Sequence, residues 1–207
     1  TTLVTNMLLE KKGSDTGFIT NEGMRDILHI GRHKRPLNYA IKQEIPQQHY
    51  PPVPRRWRLT VPERINRNGK VITPLDCEAV HSAVTKLIEE GVKSIAIGFL
   101  HSYRSKTHEQ IAKKIVNEID PKIFVCISSE VSSRFREYER FITTAWNARV
   151  APDSGKQDQV SSLRKCCRHL LKCEASPANS GSSIKAIPEA KVPDQIHRVS
   201  RQKSAHF

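Results

Sequence analysis

The 207-residue sequence lacks the features that mark a membrane or secreted protein. No apolar run approaches the roughly 20 residues that a membrane-spanning helix needs. The first residues, TTLVTNMLLEKKG, have no basic segment before their apolar part and no small-residue cleavage site after it, so they do not resemble a signal peptide. We therefore expect a soluble, cytoplasmic protein with no membrane partner.

Cysteine is scarce and unevenly placed. The five cysteines are Cys77, Cys126 and three within residues 166–173, whereas a secreted disulfide framework usually has an even number spread through the fold. Cys77 and Cys126 are therefore predicted to be small core residues of a reducing compartment. The stretch CCRHLLKC offers four possible zinc ligands, Cys166, Cys167, His169 and Cys173. We expect a chance cluster and no bound metal, because structural zinc sites bring two separated ligand pairs together across a turn.

The common enzyme motifs are missing from the sequence. There is no P-loop, no G-x-G-x-x-G and no G-x-S-x-G nucleophile elbow. The spacing places no pair of carboxylates for acid–base work, and Glu137, Glu139 and Arg140 are predicted to form a charge network on a helix surface. The residues alone therefore identify no catalytic motif, and a functional site is expected only where the fold brings side chains together.

Acidic residues are the minority among the charges. The chain has 34 Lys and Arg against 21 Asp and Glu, a formal net charge of +13. The densest clusters are GRHKRP (31–36) and PRRWR (54–58), and one interpretation is a nucleic-acid surface with Trp57 as a stacking platform. We do not expect nucleic acid as a partner, because these arginines lie in Pro-rich connecting segments and not along one helix face. The alternative is a solvated surface or a contact with an anionic substrate or a subunit.

Aromatic residues are almost absent from the last quarter of the chain. Residues 151–207 contain one, Phe207, whereas both Trp, all four Tyr and five of the six Phe precede residue 151. The stretch SPANSGSSIKAIPEAKVPDQ has no sustained apolar period, so it would bury too little apolar area to offset its ordering entropy. We therefore predict a folded domain over residues 1–152 and a disordered tail over 153–207, with at most a short helix over 159–173.

The first 150 residues are well patterned and predict an α/β fold. Apolar or alternating runs predict strands over 16–20, 57–65, 94–100 and 123–127, and the Asn-Gly turn in NRNGK predicts a hairpin into VIT. Apolar spacing of three and four residues predicts helices near the start of the chain up to Gly13, over 21–31, from Thr73 or Asp76 to Gly91, from after Ser105 to just before Pro121, and over about 134–148. The last helix is predicted to turn Phe135, Tyr138, Ile142, Ala145 and Trp146 inward. The expected fold class is a parallel or mixed sheet with flanking helices.

The segment HSYRS (101–105) directly follows a predicted buried strand. Ligands of open α/β sheets bind at the carboxyl ends of parallel strands, so His101 and Arg104 are candidates to contact an anion or a carbonyl group. The alternative is that His101 and Tyr103 only cap the strand end by bonding to nearby backbone. The serines of SSEVSSRFREYER (128–140) are candidates to cap the last helix.

Five stretches of the sequence, in order, resemble one known family. TTLVTNMLLEKKG is similar to the His-Gly-Thr-Thr-x-x-Thr-Asn helix of the hydantoinase A/5-oxoprolinase N-terminal domain, and TGFITNEGMRDILHIGRHKRP continues it. VPERINRNGKVITPLD, GVKSIAIGFLHSYRSKTHEQ and ISSEVSSRFREYERFITTAWNARVAP complete the resemblance, which runs from Thr1 to about Pro152. IGRHKRP and RRWRLTVPERI look more like hydantoinase A and acetone carboxylase-type subunits than like eukaryotic-type 5-oxoprolinases.

The resemblance implies ATP-dependent chemistry on a carbonyl oxygen. Hydantoinase A and 5-oxoprolinase open hydantoin or 5-oxoproline-type cyclic amides with ATP hydrolysis, and phosphoryl activation of an amide oxygen makes a poor electrophile reactive. The resemblance also implies an actin-like ATPase architecture in the full-length enzymes, with ATP and Mg²⁺ as cofactors. It implies a hydantoinase B-type subunit or domain as partner and a small cyclic amide or ketone as substrate.

The same resemblance implies the residues that contact substrate or phosphate, which are Thr1, Thr2, Thr5, Asn6, Arg32, His101 and Arg104. The first four match the Thr-Thr-x-x-Thr-Asn motif, and the alternative is that they only cap a helix. The other three match family positions to which the resemblance gives no definite role. Catalytic residues and metal ligands are not assigned.

The sequence departs from the family pattern at both ends. The His-Gly pair and the Asp-x-Gly-Gly-Thr-type phosphate motif of the family would precede Thr1, and DSGKQDQVSSLRKCC after Pro152 does not resemble the family's ATPase domain. We therefore expect a fragment that is inactive alone and binds no cofactor tightly. Two alternatives are a non-catalytic docking domain and a subunit of an ATP-dependent ketone (acetone-type) carboxylase.

Overall fold

A parallel sheet and its flanking helices make up the structure, a computed structural model that describes residues 6–7, 10, 12–32, 39, 41–42, 48 and 50–152. The strands are β1 (Thr16–Asn21), β2 (Arg58–Val61), β3 (Arg64–Ile65), β4 (Val71–Thr73), β5 (Ser94–Gly98) and β6 (Phe124–Ile127). The helices are α1 (Ile27–Ile30), α2 (Cys77–Glu89), α3 (Thr107–Ile119), α4 (Ser128–Val131) and α5 (Glu137–Val150), with a 3-10 turn at Arg55–Trp57. Four strands form a parallel sheet in the order β2-β1-β5-β6, and β3 pairs with β4 as an antiparallel hairpin.

Helices cover both faces of the parallel sheet. Gly17 of β1 lies against Leu87 of α2, and the next residue, Phe18, packs on Phe141 of α5 with ring centroids 5.4 Å apart. Because successive strand residues point to opposite faces, α2 and α5 lie on opposite sides of the sheet. The predicted α/β class, a parallel sheet with flanking helices, is thereby confirmed.

The two central strands, β1 and β5, are buried at every residue. For β5 the continuous apolar run predicts this burial. Phe18 of β1 aligns with Arg58 of β2 on one side and with Ala96 of β5 on the other, and Ala96 aligns with Cys126 of β6. Because the four strands are parallel, their carboxyl ends lie together at one end of the sheet.

Helix α2 shows why this sequence folds as predicted. Asp76 rather than Thr73 is its N-cap, and the Asp76 carboxylate accepts a hydrogen bond of 3.0 Å from the Ala79 N–H. The helix buries its apolar stripe, Val80, Ala83, Val84 and Leu87. The chain then turns at Gly91, whose φ of 80° suits a residue without a Cβ.

Gly98 at the end of β5 permits close packing of α5 on the sheet. A Cβ at this position would lie 2.6 Å from Phe141 Cδ1 and 3.2 Å from Phe18 Cζ. We therefore expect Gly98→Ala to lower the free energy of unfolding by about 1–3 kcal/mol, measured by urea denaturation. Phe141→Leu should relieve part of this loss in the double variant. A Gly98→Ala protein within about 0.5 kcal/mol of wild type would contradict the packing argument.

Two predicted elements, a helix and a strand, are shorter than expected. The helix expected over 21–31 is limited to Ile27–Ile30, because β1 extends to Asn21 and residues 22–26 mostly form turns. The strand expected over 57–65 is broken at Pro62 into β2 and β3, which belong to different sheets. Proline lacks the N–H that a continuous ladder would need.

The last helix begins later than predicted. It starts at Glu137, so Phe135 precedes it and is 67% exposed instead of facing the core. Tyr138, Ile142 and Ala145 are buried as expected. The serines of 128–133 do not cap it, since its N-cap residue is Arg136 and no side chain caps the helix.

Some predictions fall on residues that the structure does not describe. Asn6 and Met7 are helical, but most of the expected first helix, most of the Pro-rich connection and the whole of 153–207 lie outside the described residues. The domain boundary at residue 152 therefore stays a prediction. Within the described parts of the chain, none of the helices has the length and apolar character needed to cross a membrane.

Candidate functional site

Buried polar side chains collect where the parallel strands end, an end of the sheet that we term the carboxyl edge. They are Asn21, Glu63, His108, Glu109, Ser128 and Arg140, each 6% exposed or less. Polar groups this deeply buried are costly unless they are hydrogen-bonded to one another or to the backbone. At the carboxyl edge they form two sets, and the members of each set are hydrogen-bonded to one another or to the same backbone groups.

The first set joins the ends of β1, β2 and β5 to α3. Glu63 Oε1 lies 2.9 Å from His108 Nδ1, and Asn21 Nδ2 donates to the Glu63 carboxylate and to the Glu63 carbonyl oxygen at 3.0 Å. Asn21 Oδ1 accepts a 2.6 Å hydrogen bond from the Leu100 N–H. Burial raises the pKa of the Glu63 carboxyl, and the hydrogen bond and charge of His108 and the amide of Asn21 only partly oppose this.

The second set holds the segments after β5 and β6. Glu109 accepts hydrogen bonds from the Phe99 N–H at 3.0 Å, the Ser128 hydroxyl at 2.5 Å and the Ser129 N–H at 2.8 Å. Arg140 donates from Nε to Ser128 Oγ at 3.1 Å and from Nη2 to the Phe99 carbonyl at 2.8 Å. Ser128 therefore bridges a buried carboxylate and a buried guanidinium.

Arg140 also reaches the segment that precedes α5. Its Nη1 donates to the Arg134 carbonyl at 3.0 Å, so one guanidinium fixes both the turn after β5 and the segment before α5. Burial lowers the pKa of Arg140, while the nearby Glu109 and Glu137 carboxylates oppose the shift. Arginine keeps its charge under such conditions because its ordinary pKa is far above neutrality.

The turn after β5 presents a histidine with an unused ring nitrogen. His101 has a φ of 59°, and its Nδ1 is buried with no hydrogen-bond partner among the described residues. Its ring meets Tyr103 edge-on at 5.8 Å. Burial lowers the pKa of His101, so the ring is neutral at pH 7; Glu137 opposes the shift, and Arg64 and Arg140 add to it. A neutral imidazole in this surrounding is suited to bond a carbonyl or anionic oxygen.

Aromatic rings and cations extend this turn into a surface. Tyr103 meets the exposed Phe135 edge-on at 6.0 Å, and the guanidinium groups of Arg104 and Arg140 each lie 5.6 Å from the Tyr103 ring centre. Within the described residues, the non-glycine residues with positive φ are His101 and Arg136, and both lie at this edge. Backbone strain of this kind clusters at functional sites, which makes the surface the candidate site.

The structure brings together two of the predicted site residues. His101 and Arg104 share one turn, in which the Arg104 N–H donates to the His101 carbonyl at 2.8 Å. Arg32 is engaged elsewhere, in a 2.7 Å ion pair with Glu139 in the first turn of α5. Asn6 is exposed on a helical segment. The other three predicted residues, Thr1, Thr2 and Thr5, lie outside the described residues.

Several residues of the carboxyl edge were missing from the sequence-based prediction. Arg140, expected on a helix surface, is completely buried, which corrects that prediction. Three other residues could have been predicted from their position at a strand end. Asn21 ends β1, Ser128 directly follows β6, and Glu63 lies just past β2. Ligands of open α/β sheets bind at the carboxyl ends of parallel strands, and this rule led to His101. If the rule had been applied to every parallel strand, it would also have identified these three residues.

The PRRWR cluster does not form the stacking platform considered above. Trp57 is 7% exposed, so its faces are covered. Arg58 is buried and donates to the Val53 carbonyl through Nε and Nη2, at 3.0 and 2.9 Å. Arg55 forms a bidentate ion pair with Asp26 at 2.8 and 3.0 Å. These contacts make the cluster a structural element of the domain.

The two described cysteines differ in their surroundings. Cys126 is buried beside the Asn147 amide, and burial raises the pKa of its thiol to about 12, as suits a core residue. Cys77 is exposed, so its prediction as a core residue is wrong. Within the described parts of the chain, no group of three or more His, Cys, Asp or Glu side chains is placed to hold a metal ion. The Cys- and His-containing stretch 166–173 lies outside them.

Comparison with known proteins gives the family. The family model of the hydantoinase/oxoprolinase N-terminal region matches residues 1–120, more than half of the chain. This chain belongs to the hydantoinase/oxoprolinase family. The family predicted from the sequence motifs is confirmed.

Two curated relatives illustrate the range of this family. The chain is 35% identical over 156 residues to the caprolactamase subunit alpha of Pseudomonas jessenii, covering 75% of this chain and 22% of that subunit. It is 33% identical over 181 residues to the 5-oxoprolinase of Saccharomyces cerevisiae, covering 73% of this chain and 14% of that protein. The chain therefore spans less than a quarter of the length of these relatives.

Two solved structures share the fold. The ATP-dependent caprolactamase of Pseudomonas jessenii matches with a TM-score of 0.65 at 33% identity, over 81% of this chain and 24% of that one. The nucleotide-free acetone carboxylase, whose described reaction is ATP-dependent acetone carboxylation, matches with a TM-score of 0.65 at 27% identity, over 80% of this chain and 25% of that one. The same fold thus occurs in a caprolactamase and in an acetone carboxylase.

Proposed function

We propose that this domain belongs to an enzyme that opens a small cyclic amide by ATP-dependent activation of its carbonyl oxygen. The observation that carries the proposal is the similarity to the caprolactamase over most of the chain, in both sequence and fold. Acetone carboxylase has the same TM-score, and this supports ATP-dependent ketone carboxylation as a second candidate. In both reactions negative charge develops on a carbonyl oxygen of the substrate. The use of ATP supports a cytoplasmic location for the proposed enzyme.

We assign the carboxyl edge a role in contacting the substrate. The partly exposed imidazole of His101 is neutral, and Arg104 lies in the same turn. Together they would bond the carbonyl or anionic oxygen of the substrate while charge builds up on it. Thr1, Thr2, Thr5, Asn6 and Arg32 are the remaining candidates for contacts with phosphate or substrate.

The described residues do not form a site that fits Mg²⁺ and ATP. Glu63 and Glu109 are the two buried carboxylates at the carboxyl edge, and both are bonded to other side chains or backbone groups. No group of three or more His, Cys, Asp or Glu side chains among the described residues is placed to hold a metal ion. Magnesium usually keeps several waters while bound by carboxylates and phosphates, so it needs accessible oxygens. We therefore place the bound nucleotide outside the described residues.

The domain is proposed to act as one part of a larger assembly. Since the chain matches 22% of the caprolactamase subunit alpha, most of that enzyme has no counterpart here. We expect no ATP-driven ring opening by the 207-residue chain alone and propose a hydantoinase B-type subunit or domain as its partner.

A chimeric enzyme tests the proposal. Residues 1–152 would replace the matching region of the caprolactamase subunit alpha, and ADP release and ring opening would be measured with caprolactam, hydantoin, 5-oxoproline and acetone. We expect ATP hydrolysis that depends on a cyclic amide; dependence on acetone would favour the carboxylase alternative. A folded, assembled chimera that hydrolyses no ATP with any of these substrates would overturn both.

The role of His101 is tested in the same chimera. Asparagine tolerates a positive φ, so His101→Asn removes the imidazole without new backbone strain. We expect kcat/KM to fall on the order of 10- to 100-fold, because one preorganised hydrogen-bonding group is lost. His81→Asn, on an exposed face of α2, is the matched control and should leave the kinetics unchanged. Equal kcat/KM values for the His101 and His81 variants would exclude a substrate contact by His101.

A further inference from the structure

We propose that the β3–β4 hairpin is a docking surface for an extended, acidic segment of a partner protein, which adds as a strand to the free edge of β4. The surface, termed the hairpin surface, consists of three cations and two apolar residues, Arg64, Arg67, Lys70, Val71 and Ile72. It adjoins the turn that carries His101 and Arg104, but the proposal does not depend on the substrate contact assigned to that turn.

The charges of the hairpin surface have one sign. Residues 64–75 contain three cations and no Asp or Glu, and the neighbouring segment 101–108 adds Arg104 and Lys106 and again no carboxylate. These five cationic residues are exposed, and none forms an ion pair with another described residue. A Cβ at Gly69 would lie 3.5 Å from Arg104 Cβ, so the two segments are in contact. The surface is therefore complementary to an acidic partner.

The hairpin turn is ordered by its own hydrogen bonds. Asn66 Oδ1 accepts from the Asn68 and Lys70 N–H groups at 2.9 Å each, and the Asn66 N–H donates to the Lys70 carbonyl at 2.9 Å. At the base of the hairpin, the buried Ile65 of β3 anchors it to the domain. The cations are thus presented on a preorganised support, which lowers the entropic cost of binding.

Strand β4 is open to pairing. It pairs with β3, and no other described strand pairs with it. All three of its residues are exposed, with Val71 at 45% and Ile72 at 64%. An exposed edge strand with β-branched apolar side chains is a template for adding another strand. A protein segment fits better than nucleic acid, because the hairpin has no aromatic ring on which a base would stack.

The test uses the complete 207-residue chain and defined peptides. Fluorescence anisotropy would measure binding of a labelled Glu-Val alternating heptapeptide, a Glu-Pro alternating peptide of equal charge and a Lys-Val alternating peptide. Proline cannot donate the hydrogen bonds of a ladder, so the Glu-Pro peptide separates strand addition from charge attraction. We expect the Glu-Val peptide to bind about tenfold or more tightly than either of the others.

Charge reversal locates the binding surface. The triple variant Arg64→Glu, Arg67→Glu, Lys70→Glu should weaken Glu-Val binding on the order of tenfold, since three exposed charges that attract the peptide are replaced by charges that repel it. The matched control reverses three exposed lysines of the opposite end of the sheet, Lys86, Lys93 and Lys122, with the same change in net charge. Its binding should stay within about twofold of wild type. Circular dichroism checks that each variant is folded. If the triple variant does not fold, the double variant Arg67→Ala, Lys70→Ala is measured in its place.

Four results would overturn the proposal. The first is that the Glu-Val peptide does not bind, and the second is that the Glu-Pro peptide binds equally well. The third is that both triple variants weaken binding equally. The fourth is that an oligothymidylate binds as tightly as the Glu-Val peptide and that its binding is abolished when the hairpin cations are reversed. The last result would identify a nucleic-acid surface instead. Because none of these measurements involves ATP or a cyclic amide, they are independent of the chimera assays.

Discussion

Replacing Arg140 by methionine is expected to lower the free energy of unfolding by about 3–5 kcal/mol. Methionine fills much of the same volume but removes the hydrogen bonds to Ser128 Oγ and to the Phe99 and Arg134 carbonyl groups. It also leaves the buried Glu109 carboxylate without the cation that Ser128 links to it. Urea denaturation at neutral pH, followed by circular dichroism, gives the unfolding free energy directly.

A double-mutant cycle separates the charge effect from the lost packing. Glu109→Gln keeps the side-chain shape and removes the charge, so the double variant with Arg140→Met no longer buries an uncompensated carboxylate. We expect the double variant to be more stable than the sum of the single effects by about 1 kcal/mol or more. Arg140→Lys should recover part of the stability, because an ammonium restores the charge without the planar fork. An Arg140→Met protein as stable as wild type would show that this buried set is dispensable.

The regular part of the fold follows closely from local sequence patterns. Helix α2 combines an Asp76 cap, an apolar stripe with helical spacing and Gly91 after its end, and all three signals lie within one segment. The buried strand β5 is marked by a continuous apolar run. Such features depend on neighbours in the chain, and a single sequence contains them.

The buried network could not be predicted in the same way, because its partners come from separate segments. Arg140 has the sequence environment of an exposed helix residue, with Glu137 and Glu139 beside it. Its burial depends on Ser128 and on the Phe99 carbonyl, which the parallel strands bring to the same end of the sheet. Local patterns carry no information about this pairing until the strand order is known.

The candidate site was partly predictable from the sequence. The rule for parallel sheets identified the turn that carries His101 and Arg104 but was applied to one strand only. The exposed position of Phe135 was missed because the apolar period of α5 was extended one turn too far toward the N-terminus. The positive φ values of His101 and Arg136 have no sequence signal, since neither residue is glycine.

Replacing Asn21 by aspartate is expected to lower the free energy of unfolding by about 3 kcal/mol at neutral pH. Asn21 donates to the Glu63 carboxylate, so the Asn21→Asp change puts a second carboxylate where a donor amide stood. Two like charges in a buried site oppose ionisation, and burial already raises the pKa of Glu63. The variant should therefore be much less stable than wild type wherever both carboxyl groups are ionised.

The pH dependence of this loss identifies its cause. A carboxyl whose pKa is raised by folding binds its proton more tightly in the folded state, so stability falls as pH rises above the ordinary carboxyl value, 4.5 for Glu63. We expect the difference between Asn21→Asp and wild type to be smaller by about 1 kcal/mol or more at about pH 5 than at about pH 8. Asn21→Leu, which removes the amide without adding a charge, is the control; its loss should change less with pH than that of Asn21→Asp, because only the hydrogen bond to the Glu63 carboxylate is removed. If the Asn21→Asp deficit is equal at both pH values, charge repulsion with Glu63 is not its cause, and the lost donation from the Asn21 amide to the Glu63 carbonyl oxygen accounts for it.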